Sequence, residues 1–154
     1  MTAYETIANA DTYFSNRLHV MSWTDANNTD KTKALAEATI RLDRLNFKGT
    51  KIVSTQELEW PRYLTEDDET VTETPDDVKK ACCELAFTLL DEIDPEKEYN
   101  NLNVTSRVFS TVRTTYDHSE VPEHIAAGIP SKLAWSYVKS WIAKTGSIKL
   151  SRVS

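Results

Sequence analysis

The sequence predicts a mainly α fold: a small helical bundle with a minor β-strand or hairpin element and an extended C-terminal arm. Three observations predict it. Apolar residues recur at helical spacing over residues 35–45 and again over 78–93. Thr74-Pro75-Asp76-Asp77 reads as a helix start, with a cap, a proline at the first position and then acids for the positive helix end. β-branched residues dominate only one stretch, 104–116. The chain of 154 residues suits one domain with a real core, taken as 1–146, followed by an arm over 147–154.

In chain order, the spacing predicts a first helix over 9–18, with Asn9 as its cap and Tyr13, Phe14 and Leu18 as its apolar stripe. Residues 22–25 turn the chain, with Trp23 packed against the next helix. A second helix is expected over 30–46, capped by Thr29 or Asp30, with Leu35, Ala38, Leu42 and Leu45 inward. Glu37 and Arg41 form an i, i+4 pair in the favourable order on its outer face. Between this helix and the next lies the segment that the chain is organised around, Gln56-Glu57-Leu58-Glu59-Trp60-Pro61-Arg62. Pro61 fixes its own φ and pushes Trp60 into an extended conformation. Trp60 has a large ring to bury and an N–H to satisfy. Arg62 brings a planar fork of donors, and Gln56 both donors and acceptors. These four residues read as a structural motif, a non-regular segment pinned across the helices.

Residues 63–74, with the acids Glu66-Asp67-Asp68-Glu69 at their centre, read as a solvated loop, because a calcium loop's glycine and alternating oxygen ligands are missing. The helix opened by Pro75 runs to about residue 92. Val78, Cys82, Leu85, Ala86, Leu89, Leu90 and Ile93 cover one face, and Cys83 and Phe87 widen it. It is expected to be the central helix, with both cysteines as small buried apolar residues. After a polar connection, residues 104–116 read as strand, with Arg107 and Arg113 on the face opposite Val104, Val108 and Val112 and a hairpin turn placed near Ser110-Thr111. A short helical turn after Val121-Pro122 ends at Gly128. The last helix, over 130–144, carries an apolar arc of roughly 200° that includes Trp135 and Trp141. Either this helix is central or part of it meets another chain. Ile148, Lys149, Leu150 and Arg152 then alternate apolar and basic along the arm.

The formal net charge of −6 argues against a large phosphate-binding surface and leaves room for a local basic patch. No apolar run approaches the roughly 20 residues that a bilayer needs, so no membrane partner is expected. The N-terminal residues carry no basic stretch or apolar region of a secretory signal. The neighbours Cys82 and Cys83 point about 100° apart on a helix and cannot bridge each other, which fits a reducing compartment. His118 with Asp117, Glu120, Glu123 and His124 matches no recognised metal-ligand spacing. The three glycines are isolated, so there is no phosphate loop. No enzyme, metal or cofactor is expected.

Tyr13-Phe14, Arg17, Trp23, the run Ala34 to Thr39 with Leu42-Asp43, the Gln56-to-Arg62 motif and Pro75-x-x-Val78-x-x-Ala81 with Glu84-Leu85-Ala86 occur in a familiar order. Over residues 4–152 the pattern resembles the tailed-phage head–tail connector proteins, also called head-completion or adaptor proteins, of which some carry the label of a DnaT-like single-stranded-DNA-binding protein. The resemblance implies a structural virion protein at the head–tail junction: a homo-oligomeric, dodecameric ring under the portal protein, docking a tail or nozzle protein and prolonging the channel for double-stranded DNA. It uses no cofactor. Trp135, Trp141, Ile148, Lys149, Leu150 and Arg152 are then the candidate oligomer and portal interface. The alternative is a single-stranded-DNA-binding module, for which Arg107 and Arg113, beside Phe109 and Tyr116, are the candidate nucleic-acid contacts.

Overall fold

The structure is a computed structural model, and it describes residues 2–64, 69–71, 73–94, 96–97, 106–109, 112–115 and 122–143. Helices dominate, as the apolar spacing predicts. α1 (Ile7–Ser15) starts at Thr6, whose backbone is extended, whose hydroxyl accepts the Asn9 N–H and whose carbonyl accepts the Ala10 N–H. Asn9 therefore lies inside the helix rather than at its cap, and its side chain donates to Glu5 instead. α2 (Met21–Thr24) is a single turn that buries Trp23. That ring lies 4.9 Å from Phe14 and has the Lys31 ammonium 5.0 Å from its centroid, while its N–H donates to Asp11 at 2.8 Å.

α3 (Asn28–Leu42) is capped by Asn27, whose side chain takes the Asp30 N–H; the expected cap at Thr29 or Asp30 falls in its first turn. It buries Leu35, Ala38 and Leu42 and ends four residues before the predicted end at 46, at Leu42. Leu45 and Phe47 still reach the core from the turn beyond. α4 (Asp76–Leu90) is the central helix: it packs against α1, α2, α3 and the last helix, and buries Val78 and every residue from Ala81 to Ala86. Pro75 is itself the position before the first turn, its carbonyl taking the N–H groups of Val78 and Lys79. Both cysteines are buried, and burial pushes the Cys82 thiol up to about 11 and the Cys83 thiol higher still. Neither is a thiolate at neutral pH.

Among these core residues sits one carboxylate. Glu84 is buried, paired with the Arg17 guanidinium and bonded by the Tyr13 hydroxyl at 2.6 Å. Arg17 in turn lies 5.3 Å from the centre of the Phe87 ring. A buried acid is tolerated only with such partners.

Three short antiparallel strands, β1 (Thr50–Lys51), β2 (Arg62–Leu64) and β3 (Glu69–Val71), form a sheet in the order β1-β2-β3. This corrects the reading of 63–74 as a solvated loop: Arg62 pairs with Val71 and Leu64 with Glu69, while Glu66, Asp67 and Asp68 lie outside the described residues. β4 (Ser106–Phe109) and β5 (Val112–Thr115) form the expected hairpin, with Phe109 opposite Val112 across the two residues Ser110 and Thr111.

The C-terminal part differs most from expectation. α5 (Glu123–Ala126) ends at Gly128, whose φ is +76°. α6 (Lys132–Val138) is capped by Ser131, and a 3₁₀ turn, Lys139–Trp141, replaces the rest of the predicted helix over 130–144. The chain turns extended at Ile142, which bridges to Phe47. Of the wide apolar arc, Ala134, Trp135 and Val138 are buried, Trp141 packs edge-on to Trp60 at 5.3 Å and donates its N–H to Asp77, and Leu133 stays exposed.

Candidate functional site

The Gln56-to-Arg62 motif positions everything around it. The Trp60-Pro61 bond is cis, and the Trp60 ring is buried between Phe47 and Trp141. Its N–H, expected to find a partner, meets no acceptor among the described residues. Gln56 folds the segment onto itself, giving its amide hydrogens to the Leu58 and Pro61 carbonyls and taking the Val53 N–H. Arg62 is buried and uses its fork in full. Nε donates to Lys48 O, Nη2 to Phe47 O and Gly49 O, and Nη1 to the Glu59 carbonyl and carboxylate. A further lock joins the N-terminus to the segment: Tyr4 donates to Asp43, and both take the Glu59 N–H. Burial raises the Tyr4 hydroxyl and the Asp43 carboxyl above their ordinary values. Through Arg62 these contacts hold the carbonyls of residues 47–49.

That stretch forms one wall of a groove. Lys48 N donates to Trp141 O at 2.9 Å and Ala143 N to Asn46 O at 2.7 Å, on either side of the Phe47–Ile142 bridge. The seam brings the end of α3 against α5, α6 and the 3₁₀ turn. A groove of about 820 Å³ opens between them. Its rim carries Arg44, Lys48 and Lys139, all exposed, against one carboxylate, Glu123. Lys48 Nζ is anchored on Ser140 O at 2.7 Å and keeps its other hydrogens free of that bond. Lys139 Nζ donates to Glu123 Oε2 at 2.7 Å and holds that carboxyl below its ordinary range. The deeper lining, its floor, is apolar: Leu45 and Trp135 are buried and Ile142 half-buried, and Ala126 and Ala127 line the groove as well. In a chain of net charge −6 this is a local excess of cations. The contrast is a hollow of about 510 Å³ at the ends of α2 and α4, lined by Asp25, Asp30, Asp91 and Glu92, which repels phosphate.

Of the candidate interface residues named from sequence that the structure describes, Trp135 lines the groove and Trp141 packs against Trp60. Ile148, Lys149, Leu150 and Arg152 lie outside the described residues, as does His118 with its acidic neighbours up to Glu120. Glu123 is held by Lys139, and His124 Nδ1 is 2.9 Å from Ile129 O, so neither is a free ligand, and no cluster fit to hold a metal occurs among the described residues. Arg107 stands opposite Thr114, and Arg113 opposite Val108. Arg44, Lys48 and Lys139 were missed because they are joined by a tertiary seam and by no spacing in the sequence.

A family profile described as "Putative DnaT-like ssDNA binding protein" matches residues 1–152. No curated protein and no solved structure matches the chain. The profile match corrects the head–tail connector reading. The family that spans the chain is the DnaT-like one, so the dodecameric ring, the portal and tail or nozzle partners, the channel for double-stranded DNA and the virion role, all carried by that resemblance, are withdrawn.

Proposed function

The chain belongs to the family of DnaT-like single-stranded-DNA-binding proteins, and on that premise we propose that it is a binding module, not an enzyme, that holds single-stranded DNA along the Arg44–Lys48–Lys139 groove. The observation that carries the site is the concentration of three cations against one carboxylate in an acidic chain. Phosphate affinity comes from such cations through counterion release, and a groove with only three gives weak binding without sequence preference. The acidic remainder of the surface confines the strand to the groove.

Anisotropy of a labelled oligothymidylate, titrated with the protein at several salt concentrations, tests this. The expected slope of log affinity against log salt is about −2, the value for three phosphates on a single strand. Absence of binding at low salt, or affinity indifferent to salt, contradicts the proposal.

A further inference from the structure

We infer that the groove seats an unpaired nucleobase, and that this seat is what makes the site select single-stranded over duplex DNA. The inference rests on the proposed function and deepens it. Cations alone do not distinguish the two forms, because both present phosphates. The groove has a second feature that does. Beneath the cationic rim lies an apolar floor, with Trp135 and Ile142 at its base, and the side toward α5 is walled by the small residues Ala126 and Ala127. Its volume of about 820 Å³ falls within the roughly 300–1,000 Å³ of sites that enclose small organic ligands. A flat, apolar-faced ring bearing an anion is the occupant that such a recess and rim complement: the base lies on the floor, and its phosphate meets Arg44, Lys48 or Lys139. In a duplex every base is stacked and paired, so none can leave for the floor without unstacking. In a single strand the bases are free to turn toward an aromatic or apolar wall. An acidic peptide would satisfy the rim and leave the floor uncovered.

Two probes and two variants of the full chain test the seat. One probe is the labelled oligothymidylate; the other has the same length and charge with abasic spacers in place of the bases. The abasic strand is expected to bind about tenfold more weakly, the loss that one stacked base confers. Ala126→Trp fills the groove from an exposed position. It is expected to bring the oligothymidylate down to the abasic level. Lys48→Glu is expected to weaken both probes. Thymidine monophosphate should compete with the oligothymidylate at concentrations where inorganic phosphate does not, a readout that needs no variant to fold. Equal binding of the two probes, with no effect of Ala126→Trp and no advantage for the nucleotide over phosphate, overturns the base seat. The groove reading then still stands if Lys48→Glu weakens both probes. A Lys48→Glu chain that binds both probes like the parent overturns the groove and the seat together.

Discussion

Arg62 Nη2 donates to the main-chain oxygen of Gly49 at 2.7 Å, and the same nitrogen also reaches Phe47 O at 3.3 Å. One guanidinium thus holds three consecutive carbonyls, 47 to 49, in the stretch that carries the groove residue Lys48. A lysine cannot reproduce this: its ammonium is a compact charge with no planar fork. Arg62→Lys should therefore leave buried carbonyls unpaired and cost on the order of 3 kcal/mol. Urea unfolding measures it. A midpoint within experimental scatter of the parent's would show that the fork is dispensable.

Gly49 and Gly128 both have positive φ, +74° and +76°, yet their surroundings differ. A Cβ on Gly49 would stand 1.8 Å from the Tyr63 carbonyl oxygen, a main-chain atom of β2, whereas a Cβ on Gly128 meets nothing within 4 Å. Gly128→Ala should cost only the left-handed backbone penalty, about 1–2 kcal/mol. Gly49→Ala should cost clearly more, because β2 must shift away from β1. Thermal melts of the two variants compare them directly, and equal losses would contradict the close approach.

The Asp43 carboxyl is raised above its ordinary value of 3.8, chiefly by burial, and the bonds from Tyr4 and the Glu59 N–H offset this only in part. An acid whose folded value exceeds its unfolded one favours the fold while protonated. That contribution is present below the ordinary value and is lost as pH rises through the higher folded value. Asp43→Asn keeps an acceptor oxygen and removes the titration. The variant should therefore gain stability relative to the parent between about pH 3 and pH 7, read as the difference in urea midpoint across that range. A difference that moves in the parent's favour as pH rises would show that the charged carboxylate is the favoured form.

The central helix was legible because its apolar positions, its Pro75 start and its acidic first turn all agree, and such agreement of local and global signals marks a well-specified element. The α3 start slipped by two residues because Asn27, Thr29 and Asp30 are all competent caps, and only the geometry selects Asn27. β2 and β3 were invisible because each is three residues long and lies beside an acidic run that composition assigns to solvent. The C-terminal helix failed for a tertiary reason. Its pattern continues through Trp141 and Ile142, but the Phe47–Ile142 bridge and the contact of Trp141 with Trp60 override the propensity. The same seam creates the groove. That is why Arg44 and Lys139 carried no signal.

The measurement that tests the central claim most directly is a charge-reversal comparison. The double variant Arg44→Glu with Lys48→Glu removes two of the three rim cations, while Lys33→Glu reverses a lysine on α3 whose side chain is 74% exposed and lies away from the groove. Both retain the parent's apolar core. If the groove holds single-stranded DNA, the double variant should lose oligothymidylate binding at physiological salt and flatten the salt dependence toward zero, and Lys33→Glu should bind like the parent. Equal binding by the double variant and the parent, or a loss of the same size in Lys33→Glu, would contradict the claim.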